Sequence, residues 1–169
     1  MTVQRDESLI RDLARPLVST MAPAEKDLFE ILSDAHFARP GAYADADRDT
    51  GPLAFGLPEF TVLLTPIMLA AMTEAVKYVV GRLMANGTKV TAREIRRLFA
   101  AARRTPPADP ELVSAPAEVS ISLTPREWAE VHRIVEEVAR RGGAVADQAR
   151  LIADAAVAQG ILDEAAGDR

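Results

Sequence analysis

Two adjacent segments, one apolar and one rich in arginine, constrain the fold of this chain most strongly. Residues 57–87 contain the run LTPIMLAAMTEAVKYVVGRLMANG, and residues 88–104 contain TAREIRRLFAAARR. At 100° per residue, the apolar side chains of the first run share one broad helical face: Met68, Leu69, Met72, Val76, Val79, Val80 and Leu83. The pair therefore predicts a core helix that is followed by a short helix with a basic face.

Boundary residues support both helices. Thr65 and Pro66 predict the start of the apolar helix, and the Asn-Gly pair at 86–87 predicts its end. Thr91 and Glu94 have the spacing of a capping box, in which each side chain bonds the backbone of the other residue. The arginines of this second helix cover one arc, and the opposite arc is apolar: Ile95, Leu98, Phe99 and Ala102.

Two further helices are predicted before this pair. The first spans about residues 6–21, and Pro16 inside it is expected to kink or split it. Its apolar face contains Leu9, Leu13, Leu17 and Met21. The second begins with Pro23 at its first position and runs to about residue 36. We expect its apolar stripe to consist of Leu28, Ile31, Leu32 and Ala35.

The C-terminal part of the chain has the clearest helix signals. Thr124, Pro125 and Glu127 combine a cap, a first-turn proline and a capping box. The residues that follow repeat at spacings of three and four: Trp128, Val131, Val135 and Val138. The Gly-Gly pair at 142–143 predicts a tight turn into a last helix that ends near Gln159.

These signals predict an all-α protein with three parts. A bundle of about four helices occupies residues 1–104 and includes a long loop at 37–58, a proline-rich linker covers 105–118, and an αα-hairpin covers 119–169. The alternation in VSISL leaves a short strand at 119–123 as an option. A two-helix hairpin cannot enclose its own apolar stripe, so it is expected to dock on the bundle, self-associate or bind another protein.

Five stretches of the sequence carry a resemblance to other proteins. They are LAFGLPE, the apolar helix that begins with Thr-Pro, its arginine-rich end, the proline linker and LTPREWAEV. In this arrangement the chain resembles small helical actinobacterial proteins of unassigned function over about residues 50–162. The resemblance implies a bacterial source and a similar layout, and it implies no catalytic residues.

The apolar helix raises the question of a membrane. Residues 60–73 contain no charged side chain, but this run of 14 is shorter than the roughly 17–25 residues of a membrane-spanning helix. Extending it brings in Glu74 and Lys77, which are costly near the centre of a bilayer. The pattern favours a core helix. The alternative is a membrane-associated effector that uses helix 66–85 with the arginine stripe at the headgroups.

Charge is divided unevenly along the chain. Residues 88–104 hold six basic side chains and one acidic side chain, whereas residues 1–60 sum to −5 and residues 105–169 sum to −6. The basic stripe has three interpretations: a solvated face compensated by the acidic flanks, a face that binds a partner, and a nucleic-acid site. The residues that would bind a partner are Arg93, Arg96, Arg97, Arg103 and Arg104.

Weak, non-specific nucleic-acid binding through helix 92–104 is the least favoured of these interpretations. The segment GTKVTAREIRRLF has the layout of part of a helix-turn-helix, but its second helix offers no Asn, Gln, Ser or Lys to read bases. Phosphate contacts alone would be non-specific and sensitive to salt.

No motif indicates a metal site or a cofactor. Asp45, Asp47 and Asp49 match the first ligands of a calcium loop, but position 50 is Thr where glycine is needed and position 56 is Gly where glutamate is needed. His36 and His132 each stand without a second histidine at metal-binding spacing, and the chain has no cysteine. We expect both histidines to lie at a helix end or on a helix surface.

The sequence also lacks the motifs of common enzymes, including a nucleophile elbow, a P-loop and a dinucleotide fingerprint. The resulting hypothesis is a non-enzymatic interaction or accessory protein that binds another protein or itself. Trp128 and Val131 are candidate anchors of that contact, with core packing as the alternative role. Because the N-terminus lacks the pattern of a signal peptide, a cytoplasmic location is expected.

Overall fold

The computed structural model describes residues 7–39, 63–102 and 121–157. These residues form six α-helices and one 3₁₀ helix: α1 (Glu7–Met21), the 3₁₀ helix (Pro23–Leu28), α2 (Phe29–Ala38), α3 (Leu64–Ala85), α4 (Ala92–Ala102), α5 (Pro125–Arg141) and α6 (Ala146–Ala156). The all-α prediction is confirmed. Within the described residues there is no strand, and 121–123, the described part of the optional strand, is irregular.

Helix α3 lies at the centre of the fold, where it packs against α1, α2 and α5. The predicted face of this helix is the one that is buried, and Val80 at its edge is half-buried. The face that carries Glu74, Lys77 and Gly81 is exposed, as the pattern predicts. One continuous core contains buried side chains from all six α-helices.

The C-terminal hairpin docks on the rest of the molecule. Helix α5 packs along α3, and α6 packs against α5 and also contacts α1. A Cβ atom on Gly142 would lie 2.8 Å from Cγ1 of Ile67, so this glycine permits the close approach of the hairpin turn to α3. Gly143 has φ of 99°, a conformation that glycine adopts without strain.

Helix α1 is not split by its proline. Pro16 lies inside one continuous helix of 15 residues, with its side chain exposed to solvent. The proline removes one backbone donor, but the buried neighbours Leu13 and Leu17 hold the helix to the core on both sides of it. The carbonyl oxygen of Pro16 accepts a hydrogen bond of 2.9 Å from the Thr20 hydroxyl. Packing therefore outweighs the local preference for a break.

The start of α3 differs from the prediction. The helix begins at Leu64, and Thr65 does not cap it. The buried carboxylate of Glu25 in the 3₁₀ helix instead accepts hydrogen bonds of 2.8 Å from the backbone N–H groups of Leu64 and Thr65. A carboxylate that lies 39 residues away in sequence thus accepts the hydrogen bonds that an N-cap side chain would otherwise accept.

The predicted apolar stripe of the second helix is wrong for three of its four residues, and only Leu32 is buried as predicted. Its first six residues, Pro23–Leu28, form a 3₁₀ helix, and α2 then continues to Ala38, two residues into the loop predicted at 37–58. The buried face of α2 consists of Phe29, Leu32, Ser33 and His36. Leu28, Ile31 and Ala35 face solvent. Helix α2 has apolar residues on two arcs. Tertiary packing buries the arc that also carries the polar side chains of Ser33 and His36.

Candidate interaction surfaces

Helix α4 presents the face that the sequence singled out. Its apolar arc is buried as predicted, and its capping box is formed: Glu94 Oε2 accepts from the Thr91 backbone N–H at 2.7 Å, and Thr91 Oγ1 accepts from the Glu94 N–H at 3.3 Å. Burial of that arc fixes the rotation of α4, so the opposite arc with its arginines faces away from the core.

The arginines that were predicted to bind a partner have different environments in the structure. Arg96 donates from Nε to Asp12 of α1 at 2.9 Å and from Nη2 to the Ser8 hydroxyl at 3.1 Å, so it holds α4 to α1. Arg93 and Arg97 are exposed on the outer arc. The remaining two predicted residues, Arg103 and Arg104, lie outside the described residues.

Trp128 and Val131 belong to the core and not to a surface. Trp128 is 4% exposed, and its ring meets Phe99 of α4 edge-on with the centroids 5.6 Å apart. Val131 is fully buried one turn later. The hypothesis that these residues anchor a partner contact does not fit this packing. The Trp128 ring instead joins α5 to α4, and α5 as a whole packs along α3.

The outward arc of α2, together with Leu28 directly before the helix, forms an apolar surface where the sequence pattern predicted a buried one. We call it the α2 outer stripe, and it consists of Leu28, Ile31, Ala35 and Ala38, all exposed. Leu28 is 48% exposed and Ile31 is 67% exposed, which places both among the few large apolar side chains at the surface of the described residues. Apolar residues in a row on one helical face are typical of a contact surface.

A row of ion pairs between α1 and α2 borders the α2 outer stripe. Arg11 donates to Asp34 at 2.7 Å and to Glu30 at 3.4 Å, and Arg15 also pairs with Glu30. Each guanidinium also lies over an aromatic ring, Arg11 over Phe37 at 5.2 Å and Arg15 over a second ring at 4.7 Å. An apolar strip with a charged border has the layout of a protein interface.

The surface between α5 and α6 holds a histidine that does not stand alone. His132 Nε2 lies 2.8 Å from Asp154 Oδ1 of α6, and its Nδ1 lies 4.0 Å from Glu136 one turn along α5. The sequence spacing of 22 residues between His132 and Asp154 gave no indication of this contact. The half-buried pair links the two helices of the hairpin.

Further polar side chains lie inside the fold, two on α2 and one at the start of α3. Ser33 and Thr65 are fully buried, and their hydroxyl oxygens have no hydrogen-bond partner among the described residues. His36 lies in the last turn of α2, a helix-end position as predicted, but it is buried, and the loss of solvation lowers its pKa below the ordinary value. Burying a hydroxyl group without a hydrogen-bond partner costs free energy compared with burying an apolar side chain.

Helix α5 carries its charges in local pairs. Glu127 accepts from the Thr124 backbone N–H at 2.9 Å and from Arg82 Nη2 of α3 at 2.9 Å. The first of these bonds is the main cause that lowers the pKa of Glu127. A hydrogen bond from Arg133 lowers the pKa of Glu130 and raises that of Arg133, and a hydrogen bond from Arg141 lowers the pKa of Glu137. These charges stabilise the helix surface itself.

The described residues offer no group of three or more His, Asp or Glu side chains that could hold a metal ion. The aspartates at 45, 47 and 49 lie outside the described residues, so the calcium-loop hypothesis concerns a part of the chain about which the structure says nothing.

By length and composition, α3 is the one helix in the described part of the chain that could cross a membrane. It has 22 residues and a mean hydropathy of 1.2 in its most apolar window. Eleven of those 22 residues are buried against other helices of this chain. The buried residues of α3 therefore form the centre of the fold, where they pack against the other helices.

Comparison with protein-family models, with curated proteins and with solved structures finds no match to this chain.

Proposed function

We propose that this chain is a non-enzymatic interaction protein that binds another protein through the α2 outer stripe. The observation that carries the proposal is the burial pattern of α2, which places Ser33 and His36 in the core and Ile31 in solvent. Burying exposed apolar surface against a partner is favourable by about 25 cal/mol per Å². A helical face of the partner with apolar residues at spacings of three and four fits such a stripe.

Position 31 is the place to test this proposal. A photo-cross-linking amino acid in place of Ile31, in cells that produce the protein naturally, is expected to give a defined covalent adduct. The matched control carries the same amino acid in place of Gln148, an exposed residue of α6. Mass spectrometry identifies the adduct. If position 31 gives no adduct beyond the level of position 148, the proposal is wrong.

The same experiment separates a different partner from a second copy. An adduct of twice the 18.2 kDa mass that contains peptides of this chain alone indicates self-association. An adduct with foreign peptides indicates a different protein. Light scattering on the purified chain gives the oligomeric state independently of the cross-linker.

The membrane-associated alternative is less well supported. Helix α3 would have to leave the core to enter a bilayer, and its buried face would lose its contacts with α1, α2 and α5. Glu74 and Lys77, which pair with each other at 2.6 Å, would then enter the apolar layer. Flotation with liposomes tests this alternative, which predicts protein in the lipid fraction.

A further inference from the structure

Helix α2 buries polar side chains while it exposes apolar ones. Ser33 is fully buried, and its hydroxyl oxygen has no hydrogen-bond partner among the described residues. His36, three residues later on the same arc, is 6% exposed, whereas Ile31 is 67% exposed. An unpaired buried hydroxyl costs free energy, and so does a large apolar side chain that is left in water. The observed orientation of α2 is therefore costly on both faces of the helix.

A rotation of α2 about its own axis by one residue, about 100°, removes both costs. Each side chain then takes the angular place of the residue that follows it. The new buried set is entirely apolar, and it is the set that the sequence pattern predicts. The places that Phe29, Leu32, Ser33 and His36 hold in the observed orientation pass to Leu28, Ile31, Leu32 and Ala35.

Contacts that belong to the observed orientation offset its cost. Arg11 donates to Asp34 at 2.7 Å and to Glu30 at 3.4 Å, and Arg15 pairs with Glu30 as well. The rotation would carry both carboxylates into solvent and would take the buried ring of Phe29 out of the core. Exposed ion pairs are individually weak. The two orientations thus exchange one aromatic side chain and a few weak pairs for the burial of an apolar arc.

The backbone has a suitable hinge directly before α2. The helix changes from the 3₁₀ form to the α form between Leu28 and Phe29, and such changes within a helical segment often mark a hinge. Glu25 binds the backbone N–H groups at the start of α3, so it anchors the 3₁₀ helix on the other side of this junction.

We propose that α2 rotates between these two orientations and that the rotation regulates the α2 outer stripe. The observed orientation presents the stripe, and the rotated orientation hides Leu28, Ile31 and Ala35 in the core. A partner that binds the stripe stabilises the observed orientation through its differential affinity for the two states. This regulatory consequence rests on the proposed function, whereas the rotation itself requires no partner.

Thiol labelling of the purified full chain tests the rotation, because the chain has no cysteine of its own. Ser33→Cys gives a thiol that is buried in the observed orientation and exposed in the rotated one. Its labelling rate, relative to the rate in the denatured chain, reports the fraction of molecules in which position 33 is exposed. We expect faster labelling than for Val131→Cys, a buried position of α5 that reports opening of the core. Equal rates at the two positions would overturn the proposal.

The substitution Ile31→Gln separates rotation from local unfolding of α2. In the Ser33→Cys chain it should slow labelling by roughly fivefold or more, because the rotated orientation would then bury an amide. Local unfolding predicts no slowing, since position 31 is exposed in the observed orientation. Leu28→Gln is the second variant, with the same expectation, in case the first disturbs the fold seen by circular dichroism. Leu151→Gln on α6 is the matched exposed control and should leave the rate unchanged.

Removal of the ion pairs should have the opposite effect. Glu30→Gln with Asp34→Asn removes the carboxylates that pair with α1, and we expect labelling at position 33 to accelerate by roughly threefold or more. Glu130→Gln with Glu137→Gln removes two paired carboxylates of α5 and is the control.

The rotation is overturned if neither Ile31→Gln nor Leu28→Gln slows the labelling of position 33. That result would leave the partner contact in place, because cross-linking at position 31 tests the contact separately. Failure of the cross-linking test would in turn overturn the contact and leave the rotation in place.

Discussion

Helices α5 and α2 both carry apolar residues at helical spacing, but they relate to the core in opposite ways. Helix α5 has one apolar arc, and the structure buries Trp128, Val131 and Val135 along it while its charges pair on the surface. Helix α2 has two apolar arcs. The structure buries the one that contains Ser33 and His36 and leaves Leu28 and Ile31 in solvent.

The difference shows what a helical pattern can specify. A single apolar arc has one favourable orientation, because any other rotation would expose it. With two arcs, the choice depends on contacts with neighbouring elements. For α2 the buried arc contains Phe29 and Leu32, and the ion pairs of Arg11 and Arg15 with Glu30 and Asp34 lie on the side that faces α1.

The largest expected effect belongs to α5. Trp128→Ala removes a buried ring that packs edge-on against Phe99, and such truncations cost about 3–5 kcal/mol in the free energy of unfolding. Urea unfolding followed by circular dichroism measures the change. The control is Leu151→Ala on α6, an exposed residue that is expected to change stability by less than about 0.5 kcal/mol. A similar effect of both substitutions would mean that the ring is not in the core.

The next effect compares the two arcs of α2 directly. Leu32→Ala is expected to cost about 2–3 kcal/mol because Leu32 is 9% exposed, whereas its neighbour Ile31→Ala should cost less than about 0.5 kcal/mol. Both substitutions leave alanine in a helix, so propensity changes little. The same urea experiment measures both. The reverse order of effects would mean that α2 turns Ile31, and not Leu32, towards the core.

The smallest effect concerns pH. Burial lowers the pKa of His36 in the fold below its ordinary value of 6.5, so the unfolded chain binds this proton more readily. Above pH 6.5 His36 is neutral in both states and does not oppose folding. The free energy of unfolding then decreases as the pH falls from 6.5 towards the lowered pKa of the folded state. One group can contribute a slope of at most about 1.4 kcal/mol per pH unit.

The slope is obtained from urea unfolding at a series of pH values on both sides of pH 6.5. In the His36→Gln variant we expect a shallower loss of stability on acidification. His132→Gln is the matched control, since it removes the other histidine, and the His36 contribution should remain in it. Identical slopes in the original chain and the His36→Gln variant would contradict a buried His36.

Several parts of the fold were predictable because their signals are local. The capping boxes Thr91–Glu94 and Thr124–Glu127 formed as predicted, since their partners lie three residues apart. The turn after α3 also follows the prediction, with Gly87 at φ of 74°. The exposed positions of Arg93 and Arg97 follow from the single apolar arc of α4.

Other features could not be read from the sequence because they depend on contacts between distant residues. Glu25 caps α3 across 39 residues, His132 meets Asp154 across 22, and Arg96 reaches Asp12 across 84. No spacing rule relates such pairs. The exposure of the α2 outer stripe was not predicted for the same reason: Leu28, Ile31 and Ala35 were expected in the core, and only packing against other elements decides which apolar arc of α2 is buried.

The sequence by itself determined that this chain is helical, where most of its helices begin and end, and which face α3, α4 and α5 turn inward. These properties follow from short-range hydrogen bonds and from a single apolar arc per helix. Tertiary structure alone decided which arc of α2 is buried and which arginine of α4 is used internally. Both outcomes depend on contacts between helices that are distant in sequence, and only the folded chain brings those helices together.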